Sequence, residues 1–134
     1  MQLTKHFHLS EFLKSETAEL YKIDNRPLFE DVLNLMYLSI KLEQVRSICF
    51  NKPLIITSGY RCLPLNRAVG GSESSDHMRG LAVDFYSQAG TPPGIIFEKI
   101  KQSNLMFDQL ILYDSFLHFG IGERMRRQCF DKSI

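Results

Sequence analysis

The sequence predicts an α+β domain in which N-terminal helices pack on a small, mainly antiparallel sheet. Three observations carry that expectation. Leu28 to Cys49 places apolar residues at helical spacing, while Leu81 to Tyr86 alternates as a strand with one buried face. Two further apolar runs, Leu105–Tyr113 and Phe116–Ile121, follow each other across a tight turn near Asp114-Ser115, as in an antiparallel pair. The chain has 134 residues, a length that suits one domain spanning 1–134 with one core.

The elements follow in order. Residues 6–16 carry Ser10 ahead of Glu11 and the Phe12-Leu13 pair, the pattern of a short capped helix. A hinge-like stretch runs from Tyr21 to Pro27. The long helix then shows Leu28, Val32, Leu35, Met36, Leu42, Val45, Ile48 and Cys49 at steps that fit one amphipathic face. Asn51-Lys52-Pro53 ends it, because the residue before a proline is pushed out of helical geometry. Leu54-Ile55-Ile56-Thr57-Ser58 is a β-branched run closed by Gly59 and reads as a buried strand. Residues 60–79 have little periodicity and read as one long loop. Thr91-Pro92-Pro93 opens a helix to about Ser103, with Thr91 as its cap. The last residues, with Arg124, Arg126, Arg127 and Lys132, form a basic tail or a final strand with a solvated basic face. Phe7, Phe12, Phe97 and Phe107 belong to the core.

Composition excludes several classes of function. Sixteen basic against fifteen acidic residues give a net charge of +1, which lacks the footprint of a general nucleic-acid binder. No window approaches the roughly 18 apolar residues that a membrane span requires. The N-terminal residues lack the apolar core of a secretory signal, so the expectation is a protein made in the cytoplasm. Cys49, Cys62 and Cys129 are odd in number and too widely spaced for a CxxC pair, and read as free structural thiols.

The chemistry concentrates in Ser75-Asp76-His77-Met78-Arg79-Gly80-Leu81-Ala82-Val83-Asp84. It sets His77 on a loop and Asp84 on the non-core face of the strand that follows. His118 lies in a later strand of the same sheet. Two imidazoles and a carboxylate suit Zn²⁺ with a fourth position left for water. Spacing alone leaves a plainer reading open, in which His118 is an ordinary core or interface histidine and Asp84 a solvated strand residue. His6 and His8 alternate as on a short strand and have no carboxylate partner in a motif.

Ser75-x-His77-x-x-Gly80-x-Ala82-x-Asp84 resembles the S-x-H-x-x-G-x-A-x-D signature of the zinc D-alanyl-D-alanine peptidases. These are LAS metallopeptidases, which share a fold with the hedgehog signalling domain. Other stretches agree: Thr57-Ser58-Gly59-Tyr60-Arg61, Leu65-Asn66-Arg67-Ala68-Val69-Gly70-Gly71-Ser72 and Phe107-Asp108-Gln109-Leu110-Ile111. His6-Phe7-x-Leu9-x-Glu11-Phe12 with Asp24-Asn25 resembles the family's N-terminal segment.

The resemblance implies a hedgehog/DD-peptidase-like fold. It also implies His77, Asp84 and His118 as zinc ligands, and Arg61 as a residue that binds a substrate carboxylate or carbonyl oxygen. A guanidinium is suited to that task because it makes paired hydrogen bonds to a carboxylate. Ser75 is expected to hydrogen-bond near the metal or to cap its loop. The implied activity is hydrolysis of peptidoglycan stem or cross-bridge peptides by a D-Ala-D-Ala carboxypeptidase or endopeptidase. Such a protein is expected to be monomeric, to bind neither nucleic acid nor membrane, and to reach the cell wall after release in a phage or prophage setting.

One position departs from the family. Its peptidases carry a Glu or Asp three residues before the last histidine as general base, and here that residue is Ser115. A serine is no base at neutral pH. Asp114 is the nearest carboxylate and shares a face with His118 if the strand is regular, so Asp114 is the candidate base, its other reading being an ordinary turn residue. The alternative is a catalytically weak, zinc-containing module that binds cell-wall peptide.

Overall fold

The computed structural model describes residues 1–134, with five α-helices, one short 3₁₀ helix and a five-stranded mixed sheet. The helices are α1 (Leu9–Leu13), α2 (Glu16–Tyr21), α3 (Phe29–Ile48), α4 (Leu63–Ala68) and α5 (Pro93–Gln102), with the 3₁₀ turn at Asp76–Arg79. The strands are β1 (Leu54–Ser58), β2 (Ala82–Ser87), β3 (Gln109–Leu112), β4 (Leu117–Gly120) and β5 (Gln128–Asp131), in the spatial order β1-β2-β4-β3-β5. All pairs are antiparallel except β3 with β5. The predicted α+β class holds, and the basic tail does close as a strand. No helix is long and apolar enough to cross a membrane.

Strand parity divides the sheet into two faces. Val83 and Phe85 of β2, Leu110 and Leu112 of β3, and Leu117 and Phe119 of β4 are buried in one cluster with Leu35, Leu38, Leu42 and Val45 of α3 and Ile96, Phe97 and Ile100 of α5. Phe7, Phe12 and Phe107 complete that core together with Phe97, as expected. The opposite face carries Asp84 on β2 and, directly across from it, His118 on β4, which in turn sits opposite Ile111 on β3. The functional side chains therefore project from the back of the packed core.

Several local expectations are corrected. The first helix is capped by His8, whose Nδ1 accepts from the Ser10 N–H at 3.1 Å, and not by Ser10. A second helix, α2, follows at once, its first turn closed by Ser15 Oγ accepting from the Ala18 N–H at 3.1 Å. In α3 the buried face is Leu35, Leu38, Leu42 and Val45, a run of steps of three and four that continues to Cys49. Leu28 precedes the helix and is 68% exposed, and Met36 is also exposed. Helix α5 starts from Pro92, not Thr91, which leaves its first turn without a side-chain cap. The stretch 60–79 is not one loop: it holds α4 and the 3₁₀ turn. The three cysteines are free thiols, and burial pushes that of Cys49 up to about 11.

Two more corrections concern charged groups. His6 has no carboxylate partner within a motif, but the fold brings its Nδ1 to 2.7 Å from Glu43 Oε1 on α3. The C-terminal arginines do not form a uniform solvated face. Arg127 donates to the carbonyls of Leu105 and Ser103 at 3.0 and 2.9 Å and lies over the Phe107 ring. Arg126 is tied to buried Asp108 by Nε at 2.8 Å and Nη2 at 2.9 Å.

Candidate metal centre

Three elements bring His77, Asp84 and His118 together. Asp84 and His118 are cross-strand partners, so their side chains leave the sheet side by side. His77 arrives from the 3₁₀ turn that precedes β2. Ser75 starts that turn, its Oγ accepting from the His77 N–H at 3.2 Å. Gly80 ends it in the left-handed region at φ 73°, where a Cβ would lie 2.7 Å from the Asp31 carbonyl oxygen. Glycine there serves close packing of the turn on α3. One nitrogen from each imidazole and one carboxylate oxygen lie within 4.8 Å of one another.

Hydrogen bonding fixes how these groups point. A carbonyl only accepts, so the 2.8 Å contact between His77 Nδ1 and the Gly59 oxygen places the ring proton on Nδ1. Nε2 is then the free donor atom, and it faces Asp84 Oδ1 at 3.4 Å. His118 Nδ1 lies 2.9 Å from the same oxygen. Burial opposes a charge on Asp84, yet the hydrogen bonds and positive potential of His118 and His77 outweigh it and hold the carboxyl well below the usual carboxylate range.

This donor set fits a divalent cation. With Nδ1 bonded to the Gly59 carbonyl, Nε2 of His77 faces the Asp84 carboxylate, an arrangement in which a divalent cation can sit between them in place of a proton. Two ligands about 2.1 Å from a tetrahedral centre stand about 3.4 Å apart, close to the His77–Asp84 separation. The bond from the rear nitrogen of His77 to a backbone carbonyl is the usual support of a metal-ligating histidine.

The three groups open onto a cavity of about 580 Å³ whose wall also includes Arg61, Ser75, Asp76, Gln109, Tyr113 and Arg124. Arg61 is held in place rather than loose. Its Nε donates to Ser58 Oγ at 3.1 Å, its Nη1 to Asn66 Oδ1 at 3.1 Å, and its Nη2 stands 3.8 Å from Asp84 Oδ2. Burial lowers the pKa of its guanidinium and Asp84 opposes that shift. Ser75 both caps its turn and lines the cavity.

Asp114 stands apart from this set. It is exposed in the bend between β3 and β4, and it is not among the residues lining the cavity. The parity that would align it with His118 does not apply, because β4 begins only at Leu117. Ser115 is exposed beside it. Tyr113 and Phe116, stacked with centroids 4.7 Å apart, form the cavity wall at this end of the hairpin.

Sequence reasoning missed several residues of the site. Asn66 is fully buried; it accepts from Arg61 and donates to the Ser72 carbonyl at 2.8 Å. Asn25 donates to the carbonyls of Leu13 and Tyr60 and accepts from the Cys62 N–H, tying the N-terminal segment to the end of β1. Both lie in stretches that resemble the family, but which groups they bridge is set by tertiary structure. Arg124 and Arg126 reach the cavity from a turn whose position depends on the parallel pairing of β5.

Comparison with curated proteins gives no match. Comparison with family models matches residues 5–119 to Peptidase M15, a span that takes in His77, Asp84 and His118. Peptidases of that family depend on zinc, in accord with the donor set just described. A match over that much of the chain places this protein in the Peptidase M15 family of metallopeptidases.

Proposed function

We propose that the protein hydrolyses peptide bonds in peptidoglycan stems or cross-bridges, as a zinc-dependent D-Ala-D-Ala carboxypeptidase or endopeptidase. The single observation that carries this reading is the convergence of His77, Asp84 and His118 in one cavity with an oriented arginine, Arg61. Those three side chains would hold the zinc, which when bound supplies Lewis acidity that polarises a carbonyl and lowers the pKa of a coordinated water towards ~7.

The chain's own residues then have distinct tasks. Gly59 orients His77 through Nδ1, and the two histidines keep Asp84 ionised. Arg61 offers its remaining N–H groups to a substrate carboxylate or carbonyl oxygen, from a position fixed by Ser58 and Asn66. Asp114 as proton acceptor requires the 113–116 bend to turn inward, since its carboxylate lies outside the cavity. The peptide partner and action on the cell wall after release, in a phage or prophage setting, are part of the same reading.

Incubation of the pure protein with muropeptides and zinc, then with a chelator, tests it. The expected result is release of D-alanine or cleavage of the cross-link that the chelator abolishes. Absence of both overturns the reading. A second reading is favoured by Ser115 in the general-base position with Asp114 outside the cavity: a domain that holds zinc and cell-wall peptide without cleaving it. That module predicts stoichiometric zinc and peptide binding with no product.

A further inference from the structure

We propose that the substrate peptide extends beyond the metal cleft into a second groove, where it lies as an added strand along the free edge of β1. The inference rests on the proposed peptidase reading and narrows its substrate to peptides that continue well past the scissile bond. Strand β1 is terminal in the sheet and pairs only with β2.

The direction of its main-chain groups follows from the register. The Gln88 N–H donates to the Pro53 carbonyl at 3.0 Å, so Pro53 and Gln88 form a hydrogen-bonded pair. Antiparallel pairs alternate, which makes Ile55 with Tyr86 the next bonded pair and turns the N–H and C=O of Ile56 away from β2. No main-chain or side-chain group elsewhere in the fold bonds them. An edge of this kind is a template for another extended chain.

A groove of about 590 Å³ runs along that edge. It is lined by Ile56 to Arg61, by Lys14 to Thr17, and by Leu65 of α4 with Val69 just past that helix's end. Arg61 lines this groove and the metal cavity alike, so the two spaces adjoin at this residue. The lining holds both Lys14 and Glu16 beside apolar Ile56 and Val69. That balance does not select a charged ligand. It suits a peptide main chain with mixed side chains.

Distance sets the length of peptide required. Ser58 pairs across from Asp84, and a strand added to β1 lies two strand spacings, about 10 Å, from the Asp84 backbone. Three extended residues span about 10 Å. With Arg61 on the side of the substrate that follows the scissile bond, where the proposed reading has it hold a terminal carboxylate, a peptide that ends at the residue after that bond leaves this groove empty and a cross-linked stem fills it. Arg61 in this arrangement grips a carbonyl of a passing chain.

The test compares two synthetic substrates on the zinc-loaded full chain: a single stem peptide ending in D-Ala-D-Ala, and a cross-linked dimer carrying a second stem beyond the scissile bond. Val69→Trp fills the groove at a position that is 44% exposed, where folding is not at stake. The expected result is a loss of about tenfold or more in kcat/KM for the dimer with the single stem unchanged within about twofold. Equal effects on both substrates, or none on either, overturn the proposal. If neither substrate is cleaved, the peptidase reading fails, and amide exchange at Ile56 decides the groove. Slowing by the dimer but not by the single stem supports strand addition, and no slowing rejects it.

Discussion

His77 is steered from behind by Gly59: the Nδ1–H donates to that carbonyl at 2.8 Å, and Nε2 is thereby aimed at Asp84. The backbone at Gly59 is itself trapped, because a Cβ there would lie 2.5 Å from the Phe12 oxygen and 2.7 Å from its Cα. Gly59→Ala therefore forces two main chains apart at the point that holds the imidazole. The expected cost is about 1–3 kcal/mol in urea unfolding with chelator present. Zinc affinity is expected to fall about 10–100-fold in a competitive chelator titration. Unchanged affinity with lowered stability would show that the Gly59 bond does not aim the ring.

Metal removal gives a second expectation. The ligands exist as a group only in the folded chain, since His77, Asp84 and His118 come from separate elements. Zinc at about 100 times its Kd therefore stabilises the fold by about 2.7 kcal/mol, and the melting temperature falls when a chelator is added. His77→Ala is expected to erase the zinc-dependent part of that shift. A melting temperature indifferent to zinc in the wild type would mean that the three groups do not bind it.

Asp114→Ala separates the two roles open to that residue. Exposed and without a hydrogen-bond partner in the bend, Asp114 is expected to tolerate the change within about 0.5 kcal/mol of stability. With its carboxylate outside the cavity, muropeptide hydrolysis is expected to persist within about twofold of wild type. A loss of about 100-fold or more would instead show that the bend closes and that Asp114 takes the proton.

How far the sequence discloses this site depends on where the determining contacts lie. Leu81, Val83 and Phe85 alternate with Asp84 and Tyr86 because one face of β2 is packed on α3 and α5, so strand and face are readable from the residues alone. His77 and Asp84 sit within one short segment, and a recognisable spacing joins them. His118 has no such local signal; it pairs with Asp84 only through the β2–β4 register. Helix α4 has six residues, too few to show a period, and buried Asn66 anchors its end through bonds to Arg61 and Ser72. Leu28 starts the apolar run that predicts the amphipathic face, yet it lies before the first turn of α3 and is exposed. The edge strand β5 pairs in parallel with β3 across a long connection, and nothing in its own residues specifies that partner.

Arg61 makes a further prediction through geometry rather than charge. Lysine at this position keeps a cation near Asp84 but has no planar fork to reach Ser58 and Asn66 at once. Arg61→Lys is expected to lower stability by about 1–3 kcal/mol and to reduce kcat/KM on stem peptides by about 10–100-fold. Zinc content, measured by elemental analysis, is expected to stay at the wild-type level. Loss of the metal in this variant would mean that Arg61 serves Asp84 more than the substrate.

Asp108 holds Arg126, which lines the metal cavity, through a pH-dependent ion pair. Asp108 is 2% exposed, and Arg126 grips it by Nε at 2.8 Å, by Nη2 at 2.9 Å and by its backbone N–H at 3.0 Å. Those bonds from Arg126, chiefly the side-chain ones, outweigh burial and hold the carboxyl below its ordinary range. An unfolded Asp titrates near pH 3.9, so the stabilisation is complete above about pH 4 and is lost as pH falls through the lowered folded value. Asp108→Asn keeps the shape but removes the charge, and is expected to cost about 1–3 kcal/mol at pH 7. In urea unfolding at a series of pH values, the gap between wild type and variant is expected to narrow below about pH 4, where the carboxyl of the unfolded wild-type chain takes up a proton that the folded one still resists. A gap that stays constant down to pH 3 would assign the loss to packing around Gly122, whose missing side chain leaves room for the Asp108 and Asp76 carboxylates.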